Sequence, residues 1–255
     1  MSKDNSTGTI GEKKGFLSEG AIEVITVILL GITALLTAWA TYAGSIHSGN
    51  QATNYAKSNN LSSDGNSQYN EAVQNLAQDM ETWNTIAAYQ ADIIYADSVG
   101  DKDAIEEKAK KLQWFCSDNL TDDMAAAIGY DLDAFNDGKD DTKDIVDWIN
   151  DESDIAINSP FNDEEFVNSY YTDALAILDE SQQAIEQGQE DNANSDKFSL
   201  VSVIYSVVLF LLGIVGVFKN KNNKLVILAI SIVCLLVAFI FMLTIPLPTS
   251  GGIFG

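Results

Sequence analysis

The chain carries one histidine, His47, and two cysteines, Cys116 and Cys234, and this narrows nucleophilic and transition-metal chemistry at once. A serine or cysteine triad needs a base, and a zinc shell needs several nitrogen or sulfur ligands. His47 has neither a second histidine nor a cysteine near it in sequence, so it reads as an interfacial polar residue, with a ligand or proton-relay role as the sharper alternative. Cys234 lies inside an apolar run and Cys116 inside an acidic segment, so the two do not bridge within one chain. Cys116 reads as a small buried residue, with pairing between subunits as the other option. The carboxylate-rich stretch that comes nearest a calcium loop is DLDAFNDGKDDTKD, residues 131–144. With Asp133 as first ligand, Asp137 and Gly138 fall at positions five and six of a calcium loop and Asp144 at twelve. Position three is then Phe135, and the last ligand is Asp rather than Glu. Asp133, Asp137, Asp140 and Asp144 therefore make a candidate for weak calcium binding, and a solvated acidic turn is the plainer reading. No phosphate loop, dinucleotide fingerprint, zinc-binding cysteine set or haem site stands in the sequence. The expectation is no cofactor and no enzymatic activity.

The elements that would position these residues are dominated by three uncharged stretches, residues 24–43, 198–218 and 225–245. Each is about 20 residues, enough for a hydrocarbon core of roughly 30 Å. The last two are apolar on every face, which a soluble amphipathic helix is not. The first contains Thr26, Thr33, Thr37 and Thr41, tolerated in lipid because a threonine hydroxyl bonds back to its own helix. A cleaved signal peptide is the alternative for it, but the apolar run exceeds the usual hydrophobic region of roughly 7–15 residues. The fold class expected is an all-α membrane protein: three transmembrane helices with an acidic helical extracytoplasmic domain inserted between the first and second. The segments are a cytoplasmic tail (1–20), helix one (21–43), the acidic domain (44–197), helix two (198–218), a basic turn (219–224), helix three (225–245) and an extracytoplasmic tail (246–255). Orientation comes from lysine alone, since the chain has no arginine. Lys219, Lys221 and Lys224 in the turn, with Lys3, Lys13 and Lys14 at the start, place those parts in the cytoplasm of a cell membrane.

Of 37 acidic residues, 33 lie in residues 51–197, with 8 of the 14 lysines, so that segment carries about 25 net negative charges at neutral pH. Such a surface repels nucleic acid and draws cations or basic partners, although its first effect is solubility. Within it, Tyr69, Val73, Leu76, Met80, Trp83, Ala87, Gln90 and Ile94 follow alternating steps of four and three, predicting a helix with one apolar seam up to about Ser98, ended by Gly100. Asp101 caps a second helix lined by Ile105, Ala109, Leu112 and Cys116, and Thr121 caps a third. Ile145, Val146, Trp148 and Ile149 anchor the acidic connector. Asn162 and Glu165 form a capping-box pattern, with Phe161 and Phe166 as its staple, predicting one helix from Asp163 into the second span. Trp83, Trp114 and Trp148 are expected to fill the space between the long helices.

Residues 29–60, LLGITALLTAWATYAGSIHSGNQATNYAKSNN, followed by GNSQYNEAVQNLAQDMETWN at 65–84, resemble a group of small prokaryotic three-span membrane proteins of unknown function. In these a first span ending in Thr-Ala-Trp leads into a Gly-, Asn- and Gln-rich connection and a long helix. By motif the resemblance covers roughly the first third of the chain. It implies the layout of spans and helical domain and no activity.

The function expected is non-enzymatic: the acidic domain mediates self-assembly or partner binding, with Met80, Trp83 and Ile94 as interface candidates and Gly213 and Gly216 allowing close packing of helices. The partners are the lipid bilayer, a second copy or another membrane protein, and cations. The alternative is a cation channel or its auxiliary subunit, with an acidic outer vestibule.

Overall fold

The computed structural model describes residues 18–135, 142–151 and 159–249. These residues are helical throughout, with no strand among them. Helix α1 (Glu19–Val99) runs 81 residues without a break, so the polar stretch 44–66 continues the first helix over its whole length. It stops at Gly100, whose left-handed φ of +74° admits a Schellman ending: Gly100 N–H donates to Asp97 O and Asp101 N–H to Ala96 O. Helix α2 (Lys102–Asn119) is capped by Asp101, which accepts from Ala104 N. Helix α3 (Asp122–Ile128) is capped by Thr121 and ended by left-handed Gly129. Then follow α4 (Leu132–Phe135), α5 (Thr142–Asp151), a 3₁₀ turn (Pro160–Asn162), α6 (Glu164–Ser169), α7 (Thr172–Val215) and α8 (Lys221–Leu243).

The start of the helix expected from Asp163 differs in two ways. Asn162 belongs to the 3₁₀ turn, and Asp163 is the cap, accepting from Glu165 N at 2.9 Å. The staple pair Phe161 and Phe166 does meet, with ring centroids 5.6 Å apart. The helix then breaks at Tyr170 and Tyr171 before α7 begins. Ser169 Oγ donates to Phe166 O at 2.6 Å, competing for the carbonyl that would otherwise receive the Tyr170 N–H.

The chain divides into two compact units, one of Met1–Ala56 with Ala184–Gly255, the other of Lys57–Gln183. The polar stretches 44–56 and 184–197 thus pack with the apolar helices rather than with the acidic insert. In this spanning unit, α1, α7 and α8 are the three helices long and apolar enough to cross a membrane. Their shared core holds Ala40, Phe198, Val201, Tyr205 and Leu212, while Val27, Leu35, Phe210, Val233 and Ile240 stand exposed on the outside. Outward aliphatic faces on all three helices are what a bilayer covers, so the chain is read as a membrane protein. Thr26, Thr33, Thr37 and Ser231 each donate to the carbonyl four residues earlier, as hydroxyls in lipid must.

In the central unit, Ile86 and Ile93 of α1 pack with Leu112 and Cys116 of α2, Met124 of α3 and Ile145 and Ile149 of α5. The seam of α1 differs from the expected one. Ser58, Gly65, Ala72, Asp79, Ile86 and Ile93, at seven-residue spacing, are buried. Trp83 and Gln90 of the expected set are buried with them, but Tyr69, Val73, Met80 and Ile94 are exposed. One register of the stripe is therefore turned by one residue, about 100° around the helix. The buried line is invisible to an apolar count because its first four members are small or polar. Leu178 lies over Gly65, Ser58 hydrogen-bonds Ser181 at 3.0 Å, and Asp79 accepts from Tyr170. Trp114, expected inside, is 72% exposed, whereas Trp148 is half-buried and donates from Nε1 to Ile128 O.

Candidate interaction surface

The turned seam decides which side chains of α1 are free. Val73, Met80 and Ile94 are 42%, 45% and 45% exposed, and they lie at multiples of seven residues with half-buried Ala87 between. Ala77, Ala88 and Ala91 are exposed beside them. The stripe spans 21 residue steps, roughly 32 Å of helix. Within residues 73–95 the only charged side chains are buried Asp79, Glu81 and Asp92, and Asp92 is paired with Lys108 at 2.6 Å. An uncharged, methyl-rich face this long is unusual on a unit whose remaining surface is so acidic.

Of the expected interface residues, Met80 and Ile94 therefore lie at the surface and Trp83 does not. Its ring is 6% exposed and committed to the core with Ile86, so it supports the helix from inside. Gly213 on α7 and Gly216 in the turn just after it are exposed, and a Cβ at either would meet nothing within 4 Å. Inside the chain neither glycine permits a close helix approach; both border a cavity of about 210 Å³ beside Glu23, Thr26, Leu30 and Lys224.

His47 proves to be more than an interfacial polar residue. In the spanning unit it is 3% exposed, and Asp191 opposite is 5% exposed. His47 Nδ1 lies 2.8 Å from Asp191 Oδ1 and Nε2 lies 3.1 Å from Pro246 O. Asn54 Nδ2 donates to the other carboxylate oxygen at 3.1 Å, and the Phe198 ring stacks on the imidazole at 5.8 Å. Both partners of the ring are acceptors, so both bonds form only when both ring nitrogens carry hydrogen. The arrangement ties α1 to α7 and to the segment after α8. Spacing alone could not reveal it, since 144 residues separate the pair.

In the acidic loop, Asp137 and Asp140 lie outside the described residues, and Asp133 and Asp144 are exposed on α4 and α5. Among the described residues no group of three or more His, Cys, Asp or Glu side chains stands close enough to hold a metal.

Cys116 is fully buried. Burial pushes its thiol up to about 12, with the neighbouring Tyr130 hydroxyl acting the other way. The folded state thus favours the neutral thiol, and the stability this gives is present below the ordinary thiol value near 9 and is lost as pH rises toward about 12. Between those limits the wild-type unit should lose stability more steeply than a Cys116→Ala variant, measured as denaturant midpoints across the alkaline range. Parallel slopes would mean that the thiol is solvated.

No protein-family model, no curated protein and no solved structure matches the chain.

Proposed function

We propose that this is a non-enzymatic membrane protein whose acidic helical unit lies outside the cell membrane and associates with a second copy of the same chain through the outward stripe of α1. The observation that carries the reading is the exposed Val73, Met80 and Ile94 line at heptad spacing. Two units that each carry a large negative charge repel wherever their acidic surfaces meet. The uncharged stripe is the face on which two copies approach without that repulsion, and its methyl groups gain from leaving water. Exposed Gly213 and Gly216 give the spans a second place for close approach between copies.

The test is the mass of the gently solubilised complex after crosslinking in intact membranes. Wild-type chain is expected as a closed homo-oligomer, and Met80→Glu with Ile94→Glu should reduce it to monomer while leaving the helical content unchanged. A stoichiometric second protein would move the stripe to a hetero-partner. A monomer in the wild type would overturn the reading.

A cation-conducting assembly is the second reading, favoured by the acidity of the insert. Against it, Thr26, Thr33 and Ser231 are buried among the chain's own helices rather than facing outward, where several copies would line a lumen. Liposomes holding the pure protein that stay tight to potassium and sodium would remove it.

A further inference from the structure

In the central unit, Asp79 is 4% exposed and has no lysine partner among the described residues. One of its oxygens, Oδ2, accepts from Tyr170 Oη at 2.6 Å and, at the limit of a hydrogen bond, from Thr121 Oγ1 at 3.5 Å. Among the described residues the other oxygen receives no hydrogen bond. A buried carboxylate with only neutral donors on one side is an unusual thing to keep in a fold, because desolvating it costs several kcal/mol unless charge is matched. Asp79 also lines a cavity of about 380 Å³ with Asn75, Gln78, Thr121, Asp123 and Tyr170. The groups on this wall are acceptors or can act as acceptors: two carboxylates, two side-chain amides and hydroxyls.

A second cavity of about 500 Å³ shares Asp123, Ser169 and Tyr170 with the first and is walled further by Ala126, Ala127 and Phe166. The two together offer an anionic, acceptor-lined end and an apolar, aromatic end. Bare metal ions do not suit this space: no group of three ligating side chains exists among the described residues, and the volume is many times that of a water molecule, about 30 Å³. The raised phenol of Tyr170, caused first by burial and then by the hydrogen bond and charge of Asp79 and the charge of Asp123, reports the same negative potential.

We propose that the Asp79–Tyr170 cavity binds a small organic ammonium ion, with the ammonium on the free oxygen of Asp79 and an alkyl or aryl tail between Phe166 and the Ala126–Ala127 surface of α3. The ammonium supplies the missing counter-charge and brings three donors to a wall of acceptors. Phe166 and Tyr170, already edge-to-face with centroids 5.5 Å apart, hold the tail and offer a ring face to the cation. The site stands apart from the outward stripe of α1 and does not depend on its role in assembly.

The experiment is calorimetric titration of the full-length detergent-solubilised protein with 2-phenylethylamine, using 2-phenylethanol as its neutral counterpart. It is run at about 0.5 M salt, where a screening length of roughly 4 Å suppresses loose counter-ion binding. One saturable site per chain is expected for the amine and none for the alcohol. Asp79→Asn and, independently, Ala126→Trp should each weaken the amine by at least about tenfold. Ala126 is exposed, so the second variant blocks the apolar end without entering the core and keeps the test usable if Asp79→Asn does not fold. Heats that do not saturate, equal binding of amine and alcohol, or amine binding unchanged by Ala126→Trp would each overturn the site.

Discussion

Asp191→Ala should lower the stability of the spanning unit by about 1–3 kcal/mol, the cost of leaving buried hydrogen-bonding groups without their partner. Asp191 is the acceptor for both His47 and Asn54, and among the described residues no other side chain hydrogen-bonds the ring. Alanine would leave the imidazole, 3% exposed in the wild type, with one hydrogen bond to Pro246 O and an unfilled nitrogen opposite. A cavity of about 450 Å³ lined by Asn50, Thr53, Asn54, Gln187 and Thr249 borders the carboxylate, so water entering there sets the lower end of the range. The double variant His47→Phe with Asp191→Leu should recover most of the loss, because apolar replacement of a whole buried pair is often neutral. Phe198, already stacked on the imidazole, would pack against the new ring. The measurement is denaturant unfolding of the solubilised protein for both single variants and the double. A loss under about 1 kcal/mol for Asp191→Ala would place the pair among solvated ion pairs.

Gly188→Val should disrupt the same unit by about 3 kcal/mol, at the upper end of overpacking penalties. A Cβ at Gly188 would lie 2.5 Å from Tyr55 Cε1 and 2.6 Å from Tyr55 Cδ1. A tyrosine ring edge does not bend, so the ring must rotate away or α1 and α7 must separate. Gly65→Val in the central unit meets Leu178 Cγ at 2.8 Å, and the more adaptable leucine should hold the loss to about 1–3 kcal/mol. Tyr55→Ala in the Gly188→Val background should restore part of the stability, which a general helix-propensity effect would not produce. Gly49→Val on α1 of the same unit serves as the control, since nothing lies within 4 Å of that position. If Gly188→Val and Gly49→Val behaved alike, the tyrosine contact would not be what Gly188 is for.

These residues also show how far the chain could be read in advance. The three spans, the Asp101 and Thr121 caps, the Gly100 ending and the burial of Cys116 were legible because each depends on local chemistry: hydropathy, a side chain reaching its own backbone, a left-handed φ. The orientation of α1 was not. An apolar count puts Val73, Met80 and Ile94 on one seam with Trp83, whereas packing buries Trp83 beside Ser58, Gly65, Ala72 and Asp79 of the neighbouring register and leaves the other three outside. What reverses the assignment lies over 90 residues away in sequence, where Leu178 fills the glycine notch and Tyr170 meets the aspartate. The His47–Asp191 pair escaped for the same reason. Its partners are set by how α1 and α7 come together, and no spacing within either helix records that. Trp114 erred in the opposite sense, since size alone placed it inside. Its position on α2 between buried Leu112 and Cys116 turns it to the far side of the helix.

Cys116 gives the central unit a native chronometer. A thiol enclosed on α2 and held in its neutral form is deaf to alkylating reagents while the fold is shut. Labelling then advances only during excursions in which α1, α2, α3 and α5 part, and at low reagent its rate is the opening equilibrium multiplied by the intrinsic reactivity of an open thiol. At high reagent it saturates at the opening rate itself. The free energy and the lifetime of the closed unit are thus both recorded at one sulfur atom, read by mapping the label to Cys116 apart from half-buried Cys234, with no probe added to the chain.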